Sequence, residues 1–155
     1  MADADGWHRA LPDDDDECRH VVNLDLSRQG LTGMPPRIGL CTALQELWLS
    51  DNRLTSVPAE LGQCTALQTL SLRDNRLTSV PAELGQCTAL QQFDLYGNPL
   101  SEDTPTTPAG LQTRWQRELA ARRAQMQQSL LEWNPGGAPI HRFPSAVAAL
   151  CASYL

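Results

Sequence analysis

The sequence of 155 residues has no lysine, and all 12 of its basic residues are arginine. Aromatic residues are few (5%), and no apolar run is long enough to cross a membrane, so no membrane span is predicted. Residues 1–17 are acidic, where a secretory leader would be basic. Because the net charge is −6, a nucleic acid is not expected as the main partner. These absences favour a cytoplasmic protein that offers a polar surface to another protein.

The residue patterns of catalytic and cofactor sites are also missing. The 3 histidines, His8, His20 and His141, are far apart in the sequence, and none lies in an H-E-x-x-H motif. The sequence has no nucleophile elbow and no glycine-rich phosphate loop. None of the 5 cysteines belongs to a C-x-x-C pair, which disfavours a zinc site. We therefore expect no enzymatic activity, no metal and no cofactor.

What the sequence has instead is a repeat of 23 residues. Residues 51–68 read DNRLTSVPAELGQCTALQ, and residues 74–91 are identical to them. Residues 31–53 are a looser copy, and residues 18–30 are a degenerate half-copy. A constant period in this range indicates stacked units of supersecondary structure, because one unit alone cannot bury its apolar face.

Apolar residues in each copy follow the pattern L-x-x-L-x-L-x-x-N-x-L, which begins at Leu44, at Leu67 and, with one Phe, at Leu90. This pattern resembles the leucine-rich repeat family, and its 23-residue period is similar to the "typical" repeats of Ras-group and related intracellular or effector proteins. The resemblance covers residues 18–100 and implies an α/β fold, a right-handed leucine-rich repeat solenoid shaped as a short horseshoe arc. About four parallel strands would line its concave face, with 3₁₀ or short helical turns on the convex side.

We divide the solenoid into repeats at about 18–30, 31–53, 54–76 and 77–99. An acidic N-terminal cap or linker (1–17) precedes it, and a helical C-terminal cap or tail (101–155) follows. Alternation of apolar and polar residues predicts strands near residues 23–26, 46–49, 69–72 and 92–95. The convex turns should begin after Pro58 and Pro81 and end at the glycines Gly62 and Gly85.

Two ladders of equivalent residues are predicted inside the solenoid. The family directs the asparagine after each strand inward, where its carboxamide can satisfy backbone groups of the turn; these residues are Asn52, Asn75 and Asn98. Gln29 takes this place in the first copy, which predicts a less tightly bonded turn. Cysteines recur at the same 23-residue spacing, and we expect buried free thiols rather than disulfides; these are Cys18, Cys41, Cys64 and Cys87. With Cys151 the cysteine count is odd, which suits a reducing compartment.

Both ends of the repeats need a cover, because the end of a solenoid exposes leucines. A short helix carrying Trp7 and Leu11, with Asp5 as its cap, is predicted over the first repeat. Residues 13–17 are interpreted as a solvated linker rather than a cation site, because their carboxylates are consecutive. A helix is predicted over residues 109–132, with Thr107 as cap and Pro108 at its first position. A shorter helix is predicted over 143–155, after a break at 134–138. We interpret the tail as a lid, with an independent interaction helix or a membrane-surface helix as alternatives.

Side chains between the strand leucines should point away from the core and form the concave face. The predicted protein-binding residues are Asp25, Glu46, Trp48, Ser50, Thr69, Ser71, Arg73, Gln92, Asp94 and Tyr96. Trp48, Arg73 and Tyr96 are the expected anchors, because these residue types dominate the binding energy of protein interfaces. The alternative for Trp48 is that it packs against the N-terminal segment or is merely exposed.

Three functional hypotheses follow. The first is a monomeric, non-catalytic interaction module that binds a protein, as a signalling scaffold or adaptor in, for example, a small GTPase pathway. The second is a bacterial effector that enters a host cell and binds a host protein. Absence of lysine would protect such an effector from ubiquitination, although a GC-rich coding sequence explains it as well. The third is an E3 ubiquitin ligase component, for which Cys151 is the only candidate; the tail is too short, and Cys-Ala-Ser lacks the cysteine-x-acid pattern of those ligases.

Overall fold

Short elements alternate along the repeat region. The computed structural model describes Trp7 and residues 11–132. A short helix, α1 (Asp15–Cys18), precedes four strands, which are β1 (Asn23–Asp25), β2 (Glu46–Trp48), β3 (Thr69–Ser71) and β4 (Gln92–Asp94). The other elements are the 3₁₀ helices η1 (Pro36–Leu40), η2 (Ala59–Gln63) and η3 (Ala82–Gln86), and the helix α2 (Pro108–Glu132). The chain divides into two compact units, residues 1–116 and 117–155, with the division inside α2.

The strands form one parallel sheet in chain order. Its register places Leu24, Leu47, Leu70 and Phe93 in one row, as the repeat predicts. Leu47 and Leu70 are fully buried, whereas Phe93, on the edge strand β4, is half-buried. The predicted solenoid is confirmed, although each strand is one residue shorter than expected.

The interior is almost entirely aliphatic. Its largest fully buried side chains are those of Leu31, Ile38, Leu44, Leu47, Leu49, Leu54, Leu61, Leu67, Leu70, Leu72, Leu77 and Leu84. Burying such a side chain stabilises the fold by about 1.5–3 kcal/mol. Each repeat contributes leucines at equivalent positions, so one core runs through all the turns.

The glycines of the convex turns have a role that the sequence did not predict. Gly62 and Gly85 were expected to end their turns, but η2 and η3 continue to Gln63 and Gln86. A Cβ at Gly62 would overlap the backbone of Glu83 in the next turn. A Cβ at Gly85 would overlap the Leu111 carbonyl of α2. Gly62 is therefore needed for close approach to the next turn and Gly85 for close approach to α2, not for a left-handed terminus.

The asparagines after the strands bond each turn to the one before it. The Asn75 side-chain oxygen accepts a hydrogen bond from the Leu54 backbone N–H (3.0 Å), and its Nδ2 donates to the carbonyls of Leu49 (2.9 Å) and Leu72 (3.0 Å). Asn52 and Asn98 make equivalent bonds. The Leu49 and Leu72 carbonyls each accept from two successive asparagines, which makes the ladder continuous.

The N-terminal segment packs on the first complete turn. Trp7 and Leu11 are buried in the same core, and the Trp7 indole N–H donates to the Gly33 carbonyl (2.8 Å). Asp14 caps α1, so part of the acidic run predicted as a linker is helical. The Arg37 guanidinium bonds the Asp15 carboxylate (2.9 Å) and the Asp13 carbonyl (2.8 Å), which holds the run against η1. The predicted cap residue Asp5 lies outside the described residues.

The start of α2 covers the last turn. Thr107 caps the helix by accepting from the Gly110 N–H (3.1 Å), and Pro108 is its first residue, as predicted. Leu111 is buried in the repeat core. The Ser101 N–H donates to the Thr78 carbonyl (2.9 Å), which ties the connecting loop to the preceding repeat.

The rest of α2, from Arg117 onwards, belongs to the second unit. Leu119 and Met126 are half-buried, and most side chains between them are exposed. Arg122 and Glu118 form an ion pair one turn apart (3.6 Å). The predicted break at 134–138 and helix at 143–155 lie outside the described residues. Within the part that is described, no helix combines the length and apolarity needed to span a membrane.

Candidate protein-binding surface

Outward side chains of the four strands form three rows across the sheet. The register gives the first two rows, and the 23-residue spacing gives the third, which lies two residues beyond the end of each strand. We call this surface the concave face; its residues are Asn23, Glu46, Thr69 and Gln92, then Asp25, Trp48, Ser71 and Asp94, then Ser27, Ser50, Arg73 and Tyr96.

Two aromatic residues lie exposed on this otherwise polar face. Trp48 is 38% exposed and Tyr96 is 70% exposed. The Trp48 indole N–H donates to the Glu46 carboxylate on the same strand (3.3 Å). Both rings point away from the leucine core, so folding buries only part of their apolar surface. Both remain available for contact with another molecule.

Arg73, a predicted anchor, contacts Asp74 and a second predicted anchor, Tyr96. Its Nε lies 3.0 Å from the Asp74 carboxylate, and its guanidinium carbon lies 5.0 Å from the centre of the Tyr96 ring. The hydrogen bond to Asp74 raises the pKa of Arg73 above its ordinary value. The guanidinium is therefore held over the ring as a cation, in the geometry of a cation–π contact.

Two aspartates of the face order its backbone. The Asp25 carboxylate accepts from the Ser27 N–H (3.0 Å), and the Asp94 carboxylate accepts from the Tyr96 N–H (2.9 Å). Ser71 differs from the expectation of an exposed binding residue, because it is 5% exposed and its hydroxyl is paired with that of Ser50 (2.8 Å).

A fourth row, which sequence reasoning missed, borders the face. Arg28, Asp51 and Asp74 have positive φ angles of 60°, 56° and 51°, and Gly97 follows at the equivalent position with 76°. The left-handed conformation is uncommon for residues other than glycine. Arg28 Nε lies 3.3 Å from the Asp51 carboxylate across the row. The sequence signal for this row was Gly97, which stands at the same repeat position as Asp51 and Asp74 and is the residue type that favours positive φ.

The four cysteines of the repeats lie inside the core. Cys18, Cys41, Cys64 and Cys87 are buried free thiols. The Cys64 thiol donates to the Ile38 carbonyl (3.2 Å), and the Cys87 thiol contacts the Leu61 carbonyl (3.5 Å). Burial raises the pKa of Cys41 to about 11 and those of Cys64 and Cys87 to about 12, because a thiolate would lose its hydration. Cys41, Cys64 and Cys87 are therefore neutral packing groups.

Among the described residues, no cluster of His, Cys, Asp or Glu has the geometry to hold a metal ion. Of the histidines, His20 is exposed, while His8 and His141 lie outside the described residues, as does Cys151.

The architecture defines a class of protein: a solenoid with parallel strands on one side, 3₁₀ turns on the other and an asparagine ladder between them. The family model for the leucine rich repeat matches residues 42–100. No curated protein sequence matches the chain.

Solved structures of repeat proteins share the fold. A leucine-rich repeat protein of Leptospira interrogans is 34% identical with a TM-score of 0.54, over 59% of this chain and 24% of that one. A chain of the BIR3–SERK2 complex of Arabidopsis thaliana is 36% identical with a TM-score of 0.54, over 62% and 53%. The Arabidopsis thaliana receptor kinase ectodomain GASSHO1/SCHENGEN3, in complex with CASPARIAN STRIP INTEGRITY FACTOR 2, is 35% identical with a TM-score of 0.54, over 60% and 12%.

The chain has the leucine-rich repeat fold in its repeat region. It spans at most about half the length of these three structures.

Proposed function

We propose that the chain is a non-catalytic interaction module whose concave face binds a protein partner. This proposal rests on the positions at which the two most similar copies of the 23-residue repeat differ. Residues 51–68 and 74–91 are identical, whereas residues 69–73 (TLSLR) and 92–96 (QFDLY) differ at four of five positions. Three of those four positions belong to the concave face: two lie in strands β3 and β4, and the third lies two residues beyond them. Variation between the copies is therefore concentrated on one surface.

The comparisons support an interaction role. The BIR3–SERK2 structure is a complex of two proteins, and the GASSHO1/SCHENGEN3 ectodomain is in complex with CASPARIAN STRIP INTEGRITY FACTOR 2. Leucine-rich repeats are, as a class, protein-interaction modules, and the exposed aromatics of the concave face suit that use. Four strands about 4.8 Å apart give a narrow sheet, so the contact belongs to the small class of specific interfaces.

Affinity capture followed by mass spectrometry tests the proposal. The wild type is compared with a Trp48→Ala, Tyr96→Ala double variant and with a control, Thr65→Ala plus Thr88→Ala, which changes exposed residues outside the concave face. We expect proteins captured by the wild type and the control to be lost from the double variant. Equal capture by all three would contradict the assignment of the face.

Among cellular roles, we favour a cytoplasmic, monomeric scaffold or adaptor in signalling. Light scattering after size-exclusion chromatography gives the oligomeric state. Pathway assignment depends on the partner that affinity capture identifies.

The effector hypothesis is the second candidate, favoured by the absence of lysine. If this absence protects the protein in a host cell, Arg53→Lys plus Arg76→Lys should shorten its half-life there, because both sites are exposed. A matched Arg→Gln pair controls for loss of arginine. An unchanged half-life would favour the compositional explanation. The ligase hypothesis rests on Cys151, and ubiquitin transfer abolished by Cys151→Ala would be needed to revive it.

A further inference from the structure

The concave face and its bordering row carry an excess of negative charge. The carboxylates are those of Asp25, Glu46, Asp51, Asp74 and Asp94, and the guanidinium groups are those of Arg28 and Arg73. Such a concentration of one sign raises the local concentration of oppositely charged groups and steers their approach.

Both guanidinium groups are already paired within the protein. Arg28 pairs with Asp51 (3.3 Å), and Arg73 pairs with Asp74 (3.0 Å) while it also lies over the Tyr96 ring. The excess is therefore located on Asp25, Glu46 and Asp94. None of these three carboxylates forms an ion pair with another group in the described part of the chain.

Two of these carboxylates, those of Asp25 and Glu46, are neighbours of Trp48. Glu46 accepts the hydrogen bond from the Trp48 indole, and Asp25 is the register neighbour of Trp48 on β1. Asp94 lies in the same row, beyond the small, buried Ser71. Tyr96 already has a cation over its ring, whereas Trp48 has exposed surface and anionic neighbours. Indole is the aromatic ring that attracts a cation most strongly.

We propose that the concave face recognises a basic segment of its protein partner, with an arginine or lysine side chain stacked on Trp48 and bonded to Asp25 and Glu46. This inference rests on the proposed function and specifies the partner's chemistry. The Arg73–Tyr96 pair is the internal precedent for the contact. A guanidinium suits this position well, because it stacks on aromatic rings and pairs with carboxylates in a fork geometry.

The test is selection from a displayed library of random 12-residue peptides. The bait is the full chain as wild type and as three variants: the Trp48→Ala, Tyr96→Ala double variant; a face variant with Asp25→Asn, Glu46→Gln and Asp94→Asn; and a charge control with Glu60→Gln, Glu102→Gln and Asp103→Asn. The face variant keeps the shape of each side chain. The control removes the same charge at positions outside the concave face.

The wild type should enrich peptides that contain arginine or lysine. A synthetic peptide of the enriched sequence should bind the face variant about tenfold more weakly, and the charge control within about twofold of wild type. Raising the ionic strength should weaken binding to the wild type, because exposed charge interactions are screened.

Three outcomes would overturn the inference. Enrichment of acidic or uncharged peptides by the wild type but not by the Trp48→Ala, Tyr96→Ala variant would refute it and leave the proposed function intact. Equal weakening in the face variant and the charge control would show general attraction to an acidic protein. If the wild type enriches nothing beyond the Trp48→Ala, Tyr96→Ala variant, the proposed function fails together with the inference.

Discussion

Removal of one rung of the asparagine ladder should destabilise the repeats by an amount that depends on its position. In Asn75→Ala, the buried Leu54 N–H loses the side-chain oxygen that accepts its hydrogen bond (3.0 Å). An unsatisfied buried donor costs about 1–3 kcal/mol. The Leu49 and Leu72 carbonyls lose one bond each but keep a bond from Asn52 and Asn98. The loss of these two shared hydrogen bonds costs less, so we expect Asn75→Ala to lower the free energy of unfolding by about 2–4 kcal/mol in total.

Two equivalent positions provide the comparison. Asn98 is half-buried, so water can replace part of what Asn98→Ala removes, and its cost should be smaller than that of Asn75→Ala. Gln29 stands at the same place in the first copy, but it is exposed, and its side chain makes one long bond, to the Ser27 carbonyl (3.4 Å). Gln29→Ala should therefore change stability by less than about 0.5 kcal/mol.

Urea unfolding followed by circular dichroism measures the three free energies, and the slope with denaturant shows whether the unfolding unit stays the same. The expected order of destabilisation is Asn75→Ala, then Asn98→Ala, then Gln29→Ala. Equal destabilisation by Asn75→Ala and Gln29→Ala would refute the assignment of the ladder as the source of inter-repeat stability.

Three further predictions concern packing and protonation. Gly62→Ala should cost about 1–3 kcal/mol because its Cβ meets the next turn, whereas Gly33→Ala, whose Cβ meets nothing within 4 Å, should change the melting temperature little. Leu70→Ala should cost about 2–5 kcal/mol and Thr69→Ala much less; similar costs in chemical denaturation would show that the register is wrong. Burial raises the pKa of Cys64 to about 12, so the unfolded state loses this proton first as the pH rises. The free energy of unfolding should therefore fall from the ordinary thiol pKa towards pH 12, and the fall should be shallower in Cys64→Ala; identical slopes in urea titrations would contradict the assignment.

The repeat itself explains why most of the fold could be predicted from sequence. A period of two within the strands and a period of 23 between them place Leu47 above Leu70, with no other information needed. The Thr107–Pro108 pair also predicts the start of α2, because capping depends only on neighbouring residues.

Features that depend on the next turn were harder to predict. Gly62 fits a local rule for ending a helix, but what requires it is the backbone of a residue 21 positions later. Ser71 has the outward position of a binding residue, yet its exposure depends on neighbours in the adjacent strands, one of which pairs with its hydroxyl. The charge of the face was visible in the sequence, but which carboxylates are paired was not.

The organisation of the concave face separates what folds the protein from what it presents to a partner. The asparagines, leucines and glycines that join successive turns lie beneath or behind the sheet, so outward residues can change without loss of these contacts. Within the face, Arg73 and Tyr96 restrain each other on the C-terminal side. Trp48 and the carboxylates beside it form the part with unpaired charge and exposed aromatic surface. The Arg73–Tyr96 half of the face is therefore already ordered before a partner binds. The Trp48 half can still form new contacts, so this half can discriminate between partners of different charge.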